Sequence, residues 1–147
     1  MPTCTFFGHR DCPDSLRPSL QQAIVRLIVE EGMDTFYVGH QGKFDRLALA
    51  ALQQAVAQYP HIRYTVVLAY LPTCKDVPWQ PDTTMLPDGI EDVPKRFAIS
   101  YRNRWLVEHA DMVIAYALYR GGAMQFVELA QKKGKKILWL NEAGERC

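Results

Sequence analysis

Short β-prone runs alternate with helix-spaced apolar stripes along most of the chain, and this alternation constrains the fold more than any other feature. TCTFFG (3–8) predicts a first strand closed by glycine, and Leu20, Ala23, Ile24, Leu27 and Ile28 then follow helical spacing up to Gly32. DTFYVG (34–39) predicts a second strand that also ends in glycine, and Phe44, Leu47, Ala48, Ala51, Leu52 and Ala55 mark a second helix that stops before Pro60. IRYTVVLAYL (62–71) is a continuous β-branched and aromatic run, as a strand covered on both faces requires. Beyond it come a helix from Lys95 to His109, a strand DMVIAYAL (111–118), a glycine-started helix to Lys133 and a last strand KILWLN (136–141). This order predicts one α/β domain spanning 1–147. The expected architecture is a Rossmann-like doubly wound sheet of about five mainly parallel strands, with helices on both faces and right-handed crossovers.

Residues 72–94 break the rhythm with five prolines and no period. A connection this long inside a compact domain is commonly functional, and a lid, a partner surface and a family-specific ornament all remain open. With 147 residues, 48% hydrophobic and 22% charged, the chain has the composition of an ordinary globule with a single core. Net charge is +1, and the densest basic run is only Lys132, Lys133, Lys135 and Lys136. That run reads as a solvated helix end, and the balance argues against nucleic acid as a partner. Cys4, Cys12, Cys74 and Cys147 are scattered without C-x-x-C spacing, so no metal is expected. The N-terminus is too short and polar for a signal peptide, and no apolar run approaches 18 residues. The expectation is a cytoplasmic protein with reduced thiols and no membrane association.

The unusual residues cluster just after the strands. GHR (8–10) follows the first, GHQGKFD (39–45) follows the second and opens a helix, and RGG (120–122) precedes the last helix. In such a sheet these turns share the carboxyl edge, where ligands bind near the switch in strand order. Two of them join glycines to a helix N-terminus, where free N–H groups favour phosphate or carboxylate. The candidate ligand residues are therefore Gly8, His9, Arg10, Gly39, Gly42, Asp45, Gly121 and Gly122. Each also has a purely structural reading: turn chemistry for the glycines, a loop position for His9 and His40, a capping carboxylate for Asp45. Arg102 and Glu128 complete the set. Arg102 offers a planar fork for an anion, and Glu128, two turns into the last helix, offers a carboxylate over the ligand. No dinucleotide or P-loop fingerprint occurs, and no cofactor is predicted.

FFGHR, YVGHQGKFDRLALAAL and YRNRWLVEHADMVIAY followed by GGAMQFVELA together resemble the SLOG superfamily, which joins DprA-type proteins, LOG phosphoribohydrolases and YpsA-like proteins. The YpsA-like branch is the most similar. Arg102 precedes Asp111 by nine residues, as the upstream arginine does in the LOG signature P-G-G-x-G-T-x-x-E, and Gly121, Gly122 and Glu128 fall in register with that motif. Arg120, Met124 and Gln125 stand where the motif has proline, glycine and threonine. The resemblance implies binding of a nucleotide or nucleotide-derived ligand. For the LOG branch it implies cleavage of a nucleoside 5′-monophosphate at the base–ribose bond, with Arg102 and Glu128 as the catalytic pair.

Three functions follow from this reading. The preferred one is a module that binds or senses a phosphate-bearing nucleotide ligand. The second is the N-glycosidase, in which a carboxylate steadies an oxocarbenium-like state. The third is DprA-like binding of single-stranded DNA, opposed by the near-neutral charge and the lack of an aromatic and basic stripe. An exposed Trp79 with the apolar Phe97, Tyr101 and Trp105 stripe offers a face for a homodimer, although such a stripe is more often core.

Overall fold

The computed structural model describes residues 2–71, 77 and 79–140. Its elements run β1 (Thr3–Gly8), α1 (Leu16–Glu30), β2 (Thr35–Val38), α2 (Gly42–Gln58), β3 (Arg63–Val67), β4 (Thr84–Met85), α3 (Ala98–His109), β5 (Met112–Tyr116), α4 (Gly122–Lys132) and β6 (Lys136–Trp139). The strands form one sheet in the order β4-β3-β2-β1-β5-β6, and every neighbouring pair is parallel. This is the doubly wound arrangement that the alternating pattern predicts, with a sixth strand where about five were expected. The addition is β4, two residues inside the proline-rich connection, whose Thr84 and Met85 pair with Val66 and Val67. Within that connection, residues 72–76 and 78 lie outside the described residues, as do 141–147, which include the predicted end of the last strand.

Period-two alternation divides the central strands between two apolar layers. Cys4 and Phe6 of β1, with Ile114 and Tyr116 of β5, join the core covered by α1 and α2. Phe7, Val113 and Ala115 point the other way, towards α3 and α4. In α1 the buried positions are Leu16, Leu20, Ala23, Ile24, Leu27 and Ile28, one apolar stripe of period three to four. Burying each large aliphatic side chain of this kind stabilises the fold by about 1.5–3 kcal/mol.

The helix before β5 departs from its expected form. Residues Lys95–Phe97 make a 3-10 turn, and the α-helix begins at Ala98. Its buried face carries Ala98, Arg102, Leu106 and Val107 instead of the aromatic stripe. Phe97 is 51% exposed, Tyr101 donates its hydroxyl to the Asp88 carbonyl at 2.6 Å, and Trp105 packs edge-on against Tyr37 at 5.1 Å. Trp79 is half-buried with its ring against His40, so it is not the exposed ring expected from the sequence.

Strand order reverses at β1, which has β2 on one side and β5 on the other. Helices α3 and α4 both start at the carboxyl edge on the same face, and α2 starts at that edge on the opposite face. Their first turns therefore surround the end of β1.

Candidate functional site

A cavity of about 630 Å³ opens at this edge, within the size range of sites for small organic ligands. Its floor includes Phe6 and Phe7 of β1 and Leu106 of α3. The three turns singled out in the sequence meet around it. Gly8, His9 and Arg10 come from the first, Gly39 and Asp45 from the second, Gly121 and Gly122 from the third, and Arg102 enters from α3.

Three of the glycines are fixed by packing. A Cβ at Gly8 would lie in the ring of Phe44, which is fully buried and stacks on Tyr116. At Gly39 a Cβ would sit 2.8 Å from Asp45 Oδ2 and 2.9 Å from Arg102 Nη1, so the two charged side chains close over bare backbone. Gly42 adopts φ +85°, a region open mainly to glycine, and its Cα faces the Arg10 backbone and stem. The Lys43 N–H donates to the Arg10 carbonyl at 2.9 Å, which ties the first turn to the start of α2. Gly42 therefore supports the rim without lining the cavity.

Gly121 and Gly122 differ from these. Both are exposed, neither has a left-handed φ, and a Cβ on either would meet nothing within 4 Å. The fold itself makes no demand for glycine there. They open α4, whose first N–H groups have no partner inside the helix.

The two histidines after strand-end glycines do matching work. His9 Nε2 accepts the Leu118 N–H at 2.8 Å, two residues beyond β5. His40 Nε2 accepts the Ala69 N–H at 3.0 Å, two residues beyond β3. Each neutral ring thus clasps its own turn to the turn of the neighbouring strand. Burial lowers both from the usual imidazole range, His40 to about 4 with repulsion from Arg102 adding to the effect.

That value fixes a stability prediction. His40 is neutral in the fold down to about pH 4 but takes up a proton near 6.5 when unfolded. Its contribution is whole above pH 6.5 and is lost as pH falls from 6.5 towards 4. A partly exposed ring is screened by solvent, so the loss is about 1–2 kcal/mol. Asp45 acts in the opposite sense, because burial raises its folded value to about 6 and favours the acid form on acidification. His40→Gln keeps an acceptor that does not titrate and isolates the histidine. Between pH 7 and 4.5, urea unfolding should show wild type losing about 1–2 kcal/mol more than this variant; parallel curves would contradict the assignment.

Arg102 is 2% exposed yet lines the cavity. Its Nη1 donates to the Val67 carbonyl at 3.0 Å and its Nε to Asn103 Oδ1 at 2.8 Å. Burial lowers its affinity for the proton, and Asp45 opposes that shift, but a guanidinium stays charged. Among the described residues it forms no ion pair with a carboxylate. Asp45 is 9% exposed, and its Oδ2 accepts the Gln41 N–H at 2.8 Å at the start of α2.

Glu128 does not line the cavity, contrary to the expectation of a carboxylate over the ligand. It stands six residues beyond Gly122, about 9 Å down the helix axis and on a different side of α4. Gln41, Asn103, Asp11 and Tyr119 do line it and escaped the sequence reading. Tyr119 had a usable signal, an aromatic ring between a strand end and a double glycine; it stacks on His9 at 3.9 Å and is 50% exposed.

Among the described residues no group of three His, Cys, Asp or Glu side chains is gathered to hold a metal ion, and no helix is long and apolar enough to cross a membrane. No protein-family model matches the chain, and no curated protein sequence matches it.

Proposed function

We propose that this cavity binds a nucleotide or nucleotide-derived ligand through its phosphate. The observation that carries the reading is the meeting, in one cavity, of the α4 N-terminus and a buried arginine with no carboxylate paired to it among the described residues. Free N–H groups and the helix dipole favour an anion at Gly121 and Gly122. Arg102 supplies a fixed fork, and Arg10 and Arg120 add exposed positive charge around the opening. The resemblance to the SLOG superfamily points to the same ligand class. Of the pair expected for a phosphoribohydrolase, Arg102 lines the cavity and Glu128 does not, so binding is preferred to turnover.

Calorimetric titration with a panel of nucleoside mono- and diphosphates tests the proposal. One or more should bind, and Gly122→Val should weaken that binding at least 100-fold. The variant's melting temperature should stay within about 2 °C of wild type, since its Cβ enters open space. Wild-type affinity in the variant would remove the phosphate from this helix end. Release of free base from a bound monophosphate would replace the binding reading with hydrolysis.

A further inference from the structure

The anion-binding elements leave Asp45 unexplained. A carboxylate repels phosphate, yet this one is nine-tenths buried in the wall of the same cavity. It is held in place: Oδ2 takes the Gln41 N–H, and Arg102 lies beside it over Gly39. A carboxylate has about four lone-pair sites, so acceptor capacity remains after one backbone bond. Arg102 has five N–H donors, and the Val67 carbonyl and Asn103 side chain occupy two of them. The wall therefore presents an acceptor and a donor side by side, which Gly39 allows by having no side chain to separate them.

A group that both donates and accepts fits such a wall, and on a nucleotide the sugar hydroxyls have that character. Phosphate offers only acceptors at neutral pH, so it suits Arg102 but not Asp45. We infer that Asp45, with Arg102 beside it, receives the sugar hydroxyls of the bound nucleotide and makes the site selective for ribose over 2′-deoxyribose. A site built to bond a hydroxyl rejects the analogue that lacks it, because its own buried polar groups are left unpaired. Burial raises the Asp45 carboxyl to about 6 while Arg102 pulls it down, so at pH 7.5 it is a carboxylate and accepts.

The inference rests on the nucleotide reading, and one experiment separates them. Wild-type protein is titrated at pH 7.5 with matched ribonucleoside and 2′-deoxyribonucleoside 5′-mono- and diphosphates. The best ribonucleotide should bind at least tenfold more tightly than its deoxy counterpart. Asp45→Asn, which retains an acceptor for the Gln41 N–H, should reduce that ratio below threefold with the fold intact by melting temperature. Equal binding of the two series by wild type, or an unchanged ratio in Asp45→Asn, overturns the inference and leaves the nucleotide reading standing. Absence of binding by either series overturns both. If the variant does not fold, the wild-type ratio alone decides.

Discussion

Arg102→Met is expected to weaken nucleotide binding at least 100-fold and to destabilise the fold by about 2–4 kcal/mol at pH 7.5, with a smaller stability loss at pH 5.5. Removing one member of a buried charged set ordinarily costs about 3–5 kcal/mol, because the partner is left uncompensated. Here the charge left without its neighbour is Asp45, which lies outside ion-pair distance of Arg102 but within its field, and whose carboxyl already sits at about 6 despite the arginine. Without that arginine its folded value climbs further above the unfolded carboxylate value. The folded variant then binds a proton that the unfolded chain releases, so the deficit shrinks as pH falls. The Val67 carbonyl also loses its donor at 3.0 Å, and this part of the cost does not depend on pH. Urea unfolding at the two pH values measures the difference, and an Asp45→Asn background should abolish its pH dependence. An equal loss at both values would show that the two side chains do not sense one another.

Gly8→Val should cost about 3 kcal/mol or more, which for a chain of this size lowers the melting temperature by roughly 10 °C. The new side chain has nowhere to go. Its Cβ falls within the Phe44 ring, and that ring is fully buried between α2 and the sheet. Moving Phe44 would disturb its stacking on Tyr116 and with it the end of β5. Thermal unfolding reads the effect, and Phe44→Leu in the same chain should recover part of the loss, since contacting residues are not additive. Additive losses would mean that the clash lies elsewhere. Gly8→Val and Gly122→Val thus separate a glycine that the fold requires from one with open space beside it.

Most of the fold was legible because central parallel strands and amphipathic helices leave strong periodic signals. The run at residues 111–118 contains Val113, Ile114 and Ala115, all buried, and no reading other than a covered strand suits it. β4 left no such signal: two residues have no period, and Thr84 and Met85 become a strand only because β3 offers a free edge. The stripe of α3 was misplaced for a different reason. Hydropathy favours Phe97, Tyr101 and Trp105, whereas the structure buries Arg102 with Ala98 and Leu106. A buried cation is invisible to any rule that sorts residues by polarity.

The site was legible as three turns on one edge, since that follows from topology once the strands are parallel. What each residue does there was not. His9 and His40 clasp neighbouring turns, Gly42 braces Arg10, and Glu128 lies outside the cavity. Gln41 and Asn103 lie within the segments GHQGKFD and YRNRWLVEHADMVIAY but gave no signal of their own, and only the three-dimensional approach of α2 and α3 brings them to the wall.

The histidine clasps hold the rim of the cavity from within. Both are made wholly of the protein's own atoms, each joining a ring nitrogen to a main-chain amide across adjacent strands. Among the described residues, the rim is thus braced by contacts that need no guest to form. Acidification would loosen that frame, since a ring that takes up a proton at Nε2 can no longer accept the amide N–H.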